Sequence, residues 1–510
     1  MKKRILKSAI VLPLVFFLSG CRLIGFDGDS KAPSLDLGEY AGNRITLEMI
    51  NRSQGVVGFP STGEQKILVL PVCFEDYTLE KLALDETEVV ANIEKAMFAQ
   101  SEETGWESVS SYYSKSSYGK LNITGVVGDV FVLDKTLKEV AYLTSTKIDS
   151  YDPTYYVVES ALEHFKSTYT GDIKSFDNDK DGYIDAVWLI YLNPYYSDSF
   201  SSYYLKTDSS FASATYQDKA SSLLWAYTYW NYQSKADLSS PTSFSYSWAS
   251  YQFLFDGGYE KEGVDLVDAH TFIHETGHLF GLDDYYNYDY GVEDRTSPTG
   301  AIDMMDNNVG DHNAYSKYLL NWISPKLIKE SGTFHLDSFT ETGDSLLLPL
   351  NIGTYNDSPF DRYLLFEYYT PTGLNALDSR NAYDNGILMP NESGMRIYYV
   401  DARLILLSYS PLYGWINKGY SSEYCNTDER YTLIGANNTP SYSYTGERLI
   451  TLLSSQHPQK NYFYQDRFDG SANVSDLFTE KDTFSLYLEK GSSISFVSAG
   501  EGMDVVYSEN

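Results

Sequence analysis

The chain has 510 residues and a formal net charge of −32. Its length accommodates two or three domains, and 43% hydrophobic with 15% aromatic residues excludes wholesale disorder. So acidic a surface excludes nucleic acid as a partner, because phosphate binding needs a basic face, and it gives no electrostatic route onto anionic lipid.

Lys2, Lys3, Arg4 and Lys7 open the chain, and an apolar run follows from Ala9 to Leu18. That run is too short to span a bilayer. It ends in Ser19 and Gly20 directly before Cys21, the layout of a secretory signal peptide. Leu18-Ser19-Gly20-Cys21 resembles the bacterial lipobox, so residues 1–20 are expected to be a lipoprotein signal peptide and Cys21 to carry the lipid. The protein is then expected at the cell surface, lipid-anchored to the bacterial membrane. Residues 21–60, rich in Gly, Ser and Asp, read as a tether with one short helix near Ile45 to Ile50. Of the other cysteines, Cys73 sits in the apolar strand KILVLPVCF and Cys425 in a polar loop. Their contexts suggest two unpaired thiols.

The first buried strand is expected over Lys66 to Phe74. A helix is expected from Glu86 to Ser101, then a short helix, a turn at Gly119 and alternating strands. A further helix covers Tyr155 to Tyr169, and the Asp-rich loop FDNDKDGYIDAVWLIYL runs into another apolar strand. The stretch from about 195 to 245, biased to Ser and Tyr, reads as an insertion with little core of its own. Strand-like pieces are Leu223 to Tyr229 and Ser245 to Phe255, and Tyr246 to Phe255 is the expected edge for a substrate backbone. A helix is expected over Val264 to Gly281, and after Pro325 short alternating strands dominate.

Residues 274 to 284 read HETGHLFGLDD. Four residues apart on a helix, His274 and His278 share a face and can aim imidazole nitrogens at one ion. Glu275 reaches the water on that ion without binding the metal. Gly281 lets the helix end and the chain turn, which brings Asp284 back as third ligand, with Asp283 pointing elsewhere. Three protein ligands leave an open tetrahedral position, the mark of a catalytic zinc. Zinc acidifies the bound water, and Glu275 serves as general base and then as proton donor to the leaving amine. His270, one turn before His274, reads as a surface or outer-sphere histidine. GAIDMMDNN offers a methionine-bearing turn like that beneath the zinc of metzincins, with Met305 the better match and Met304 the alternative.

Asp177, Asp179, Asp181, Gly182 and Asp185 follow D-x-D-x-D-G-x-x-D. Oxygens at alternating positions wrap a hard cation, so calcium is expected here. Position twelve, a bidentate Glu in an EF-hand, is Trp188, and the loop feeds a strand. This is therefore not an EF-hand, and a plain Asp/Gly turn is the alternative.

HETGHLFGLDDYY, IDMMD with NAYSKYLLNWISP, SYYSKSSYGKLNITG and FDNDKDGYIDAVWL together resemble the immune inhibitor A family of bacterial zinc metallopeptidases. KILVLPVCFEDY resembles that family's opening strand, and RYLLFEYYTPTGLN and GMRIYYVDA resemble the segment after its catalytic domain. The likeness covers about 60 to 404 without the Ser/Tyr stretch, and ends after Arg403. It departs from freely secreted members in its membrane anchor.

The expected fold class is α+β: a zincin-like catalytic domain over 61–328, with a mixed sheet and an active-site helix, followed by a β-rich C-terminal region over 329–510. The expected function is a membrane-anchored extracellular zinc endopeptidase acting on proteins or peptides. The alternative is a surface binding or adhesion protein on a catalytically inactive peptidase scaffold. The intact set His274, Glu275, His278 and Asp284 argues against the alternative. Tyr286, His312 and Tyr315 are candidates for the transition-state stabiliser.

Overall fold

Apolar runs such as ILVLPVC and VWLIY are what strands buried on both faces require, and both are strands in the computed structural model of the chain. The structure describes residues 46–509, apart from 54–55, 57, 144–152, 232–233, 262, 289–296, 353–354, 356, 384–386, 411–413, 421–428, 440–447 and 457–471. The signal peptide, Cys21 and Cys425 lie outside the described residues. The architecture is mixed α/β with several sheets. The chain folds into two compact units. One comprises Gln65–Ser111 and Ile123–Leu279; the other comprises the described chain up to Glu64, Tyr112–Asn122 and Phe280–Asn510. The division falls behind the histidine-bearing helix and not at the expected 328.

The first unit is built on a sheet of six strands: β1 (Gly63–Cys73), β2 (Leu121–Val127), β3 (Phe131–Val132), β4 (Val187–Tyr191), β5 (Tyr227–Trp230) and β6 (Ser245–Ser250). Their order is β2-β1-β4-β6-β5, with β3 also pairing β1. β1, β4 and β6 run parallel, Leu68 opposite Val187 and Val187 opposite Tyr246. β5 is antiparallel to β6, Tyr227 opposite Trp248. The edge is therefore β5, and the expected edge at Tyr246 to Phe255 is corrected: β6 is paired on both sides, and Tyr251–Phe255 is a 3-10 turn.

Side chains alternate across the sheet. Leu189 and Tyr191 join one core with Leu68, Val72, Tyr246 and Trp248. Tyr204, Phe211, Tyr216, Ala220 and Leu223 belong to this same core. The Ser/Tyr stretch is thus an integral part of the unit, with Tyr204 and Tyr216 fully buried in its core and Tyr195, Tyr196 and Tyr203 packed against it. Trp188 faces the other way and packs on Phe272, ring centroids 5.0 Å apart. Helices Glu86–Phe98 and Thr154–Thr168 lie close to the expected ranges, the first capped by Asp85 accepting the Glu88 amide at 3.1 Å.

The histidine-bearing helix is shorter than expected, His270–Leu279. Asp268 accepts the His270 amide at 3.0 Å and sets its start. Upstream, Val264–Asp265 pairs with Glu260–Lys261 as a small antiparallel ribbon. Gly263, at φ 81°, lies between the two strands.

The second unit is β-rich. A five-stranded sheet orders Lys326–Leu327, Ser345–Pro349, Arg362–Tyr369, Gly394–Asp401 and Ile450–Leu453. A four-stranded sheet combines Gly332–Leu336 with Gly502–Ser508, Ser493–Ala499 and Thr483–Phe484. Leu346, Phe366 and Ile397 of the first share one core with Leu336, Phe496 and Val505 of the second, as stacked sheets do. The C-terminal stretch beyond 404 adds Leu404–Ser410, flanked by Gly414–Tyr420 and Glu429–Leu433.

From Thr46 onward the expected tether is part of this unit. Thr46 Oγ1 accepts the Met49 amide at 3.2 Å, opening a helix over Leu47–Ser53 that buries Leu47, Met49, Ile50 and Asn51. Phe59 stacks on Phe280 at 5.1 Å, and the Trp322 indole donates to the Ser61 carbonyl at 2.7 Å.

Candidate metal centre

His274 and His278 lie one turn apart on the His270–Leu279 helix, their ring centroids 4.9 Å apart. Gly281 follows at φ 92°. The left-handed backbone favours glycine, and a Cβ there would also push the buried Asn51 side-chain amide aside. The turn returns the chain so that one ligand atom from each of His274, His278 and Asp284 lies within 4.8 Å of the others. Donors on a tetrahedral zinc at bonds of about 2.1 Å sit about 3.4 Å apart, so small side-chain rotations close the set. Two imidazoles with one carboxylate suit zinc chemically. His274 and Asp284 are buried and His278 is half-buried. The Tyr288 hydroxyl donates to Asp284 Oδ2, the kind of outer contact that orients a ligand carboxylate.

Glu275 is buried beside this set. On the edge strand β5, Thr228 Oγ1 lies 3.2 Å from Glu275 Oε2 and 2.9 Å from its carbonyl oxygen. Ser247 Oγ on β6 is 2.8 Å from Thr228 Oγ1. Trp188 Nε1 donates to Thr276 Oγ1 at 3.1 Å. The tryptophan occupying the twelfth loop position therefore ties the Asp-rich loop's strand to the histidine-bearing helix. His270 is neither a ligand nor a surface group: fully buried, it sits 2.5 Å from Asp268 through Nδ1 and stacks on Trp106 at 4.1 Å.

Met304 and Met305 are both fully buried in a single turn, Met304–Asn307, capped by Asp303 accepting the Met305 amide at 2.8 Å. The Met305 carbonyl accepts the Tyr285 amide at 2.8 Å, immediately after Asp284. Asp303 also accepts from the Asn313 amide and side chain, each at 2.9 Å. Burial nevertheless pushes its pKa up to about 7. The stabiliser candidates divide. His312 is enclosed by Tyr112, Tyr113 and Trp322, with ring centroids 5.7 to 6.0 Å away, and Tyr315 is fully buried. Tyr286 is half-buried, so of the three it alone keeps appreciable exposed surface.

In the second acidic cluster, Asp177, Asp179 and Asp185 each offer an oxygen within 4.8 Å of the others. Asp181 is not in that group, and its Oδ1 accepts the Tyr183 amide at 2.9 Å. Gly182, at φ 89°, donates its amide to Asp177 Oδ2 at 3.1 Å. Burial, followed by the neighbouring Asp179 and Asp177 carboxylates, pushes Asp185 up to about 8. A cation would relieve that repulsion, and carboxylate oxygens suit calcium.

Sequence reasoning did not find Thr228, Tyr288 or Asn51. Their roles come from tertiary placement, and no local pattern marks them. Cys73 is a buried free thiol whose pKa burial pushes up to about 12. Among the described residues no helix is long and apolar enough to cross a membrane. No family model matches the chain, and no curated protein does.

Proposed function

We propose that the chain is a zinc-dependent endopeptidase with a zincin-like catalytic region, akin to the immune inhibitor A family, exported and lipid-anchored through Cys21. The observation carrying this reading is the convergence of His274, His278 and Asp284 within 4.8 Å, with Glu275 buried beside them. Zinc held there would supply Lewis acidity toward a water and a peptide carbonyl. Glu275 would take the proton of an attacking water as its oxygen bonds to the peptide carbonyl carbon, and would return that proton to the amide nitrogen as the C–N bond breaks. Thr228 and Ser247 share two hydroxyl protons. When Ser247 donates to Thr228, the Thr228 proton is left for Glu275, whose carbonyl oxygen at 2.9 Å and Oε2 at 3.2 Å share it.

Strand β5 lines the histidine-bearing helix at the sheet edge, and an extended substrate adding to that edge would present its backbone there. Calcium at Asp177, Asp179 and Asp185 is proposed as a structural ion. The deciding experiment measures zinc content and casein or peptide hydrolysis for wild type, Glu275→Gln and His278→Ala. A wild-type protein that bound no zinc and cleaved nothing would overturn the reading in favour of a binding protein.

A further inference from the structure

Asp284 lies on an arm without regular secondary structure between Gly281 and Tyr288. A ligand on such an arm binds well only if the arm is ordered before the metal arrives, because ordering free backbone opposes binding. Two hydrogen bonds hold the backbone of Tyr285, the residue that follows Asp284. The Tyr285 amide donates to the Met305 carbonyl at 2.8 Å. The Tyr285 carbonyl accepts from Asn437 Nδ2 at 3.3 Å. Three residues on, the Tyr288 amide donates to the Asn438 carbonyl at 2.7 Å. Tyr288 in turn donates its hydroxyl to Asp284.

Asn437 is itself fixed. It is almost fully buried, and Nδ2 also donates to the Ile450 carbonyl at 2.9 Å. Its Oδ1 accepts the Leu449 and Ile450 amides at 2.9 and 3.1 Å. One amide side chain thus uses both of its donors and both acceptor positions. Three of those bonds hold it to the chain at Leu449 and Ile450, and the fourth reaches the metal arm.

We propose that Asn437 is a positioning residue for the third zinc ligand, so that the stretch after 404 is part of the metal centre and not an appended module. This rests on the zinc reading above. It gives Asn437 the task of presetting Asp284, with the Met305 carbonyl holding the Tyr285 amide on the side nearer Asp284.

The test uses the full chain with Asn437→Asp, Asn437→Ala and the control His278→Ala. The Asp variant retains the acceptor bonds from Leu449 and Ile450 and loses the amide donors. Zinc dissociation constants are measured by competition with a chromogenic chelator, and Co2+ absorption reports ligand geometry. Thermal midpoints of the metal-free proteins report the fold. Both Asn437 variants should weaken zinc by roughly 10–100-fold, the usual effect of losing a partner behind a ligand, and alter the cobalt spectrum. Wild-type zinc affinity and cobalt spectrum in Asn437→Asp, whatever its thermal midpoint, would overturn the proposal. So would zinc weakening without a spectral change. Should Asn437→Ala fail to fold, Asn437→Asp decides alone, and should both fail, Asn437→Ser is read by the same criteria. Absence of zinc from wild type would instead overturn the zinc reading itself, and the proposal with it. Loss of zinc in His278→Ala alone leaves that reading standing.

Discussion

Thr228 Oγ1 stands 3.2 Å from Glu275 Oε2, joining the edge strand of the sheet to the proposed general base. The contact predicts that Thr228→Val, nearly isosteric but without a hydroxyl, lowers kcat about tenfold, a fraction of what general-base catalysis contributes. Zinc content and KM should stay near wild type, and Thr228→Ser should recover most of the loss. Steady-state kinetics on one peptide check this. A Val variant with wild-type kcat removes Thr228 from the mechanism.

Glu275→Gln keeps size and hydrogen bonding but removes the basic carboxylate. Hydrolysis should fall by roughly 10²–10⁴-fold with zinc retained, since His274, His278 and Asp284 are untouched. His278→Ala should lose metal and activity together. Elemental analysis beside a casein assay separates the two outcomes.

The Asp-rich loop predicts a calcium-dependent pH profile. Without a cation, Asp185 is held near 8, against 3.8 for the ordinary carboxyl. A raised folded pKa means that stability is fully present below about 4 and is lost as pH climbs toward 8. Calcium should cancel that loss and raise the thermal midpoint near pH 8 by about 5 °C. Melting at pH 5 and pH 8 in zinc-supplemented buffer, with and without calcium, measures both effects. Equal midpoints at pH 8 with and without calcium would sink the calcium assignment, and Asp179→Ala should abolish the response.

Cys21→Ser should release the protein from the membrane or stop its processing. Fractionation of cells expressing it provides the check. Unchanged membrane association would remove lipidation at Cys21 from the account.

Periodicity made the strands over Gly63–Cys73 and Val187–Tyr191 legible, because a strand buried on both faces leaves an unbroken apolar run. Helix spacing likewise made His274 and His278 legible, and Gly281 announced the turn to Asp284. The Ser/Tyr stretch misled because tyrosine is apolar along its ring and polar at its tip, so composition alone does not say which end is buried. Tyr204 and Tyr216 are in fact core residues. Asn437 was illegible for another reason: its partners at Tyr285 and Leu449 lie 152 and 12 residues away in sequence, and no local pattern encodes such a bond. Asp181 matched the calcium motif, yet it caps the loop's backbone at Tyr183.

The burial of Leu47, Met49, Ile50 and Phe59 sets a leash. If Cys21 holds the lipid, only residues 22–45, or 24 positions (45 − 22 + 1), separate the membrane from Thr46. Fully stretched, they reach roughly 80 Å, which would bound how far from the membrane the proposed site can reach. Shedding by a protease that left the folded part intact would have to cut within that leash. A cut beyond Phe59 would strip away both Asn51, which packs on Gly281, and Phe59, which stacks on Phe280, and would disturb the turn that carries Asp284.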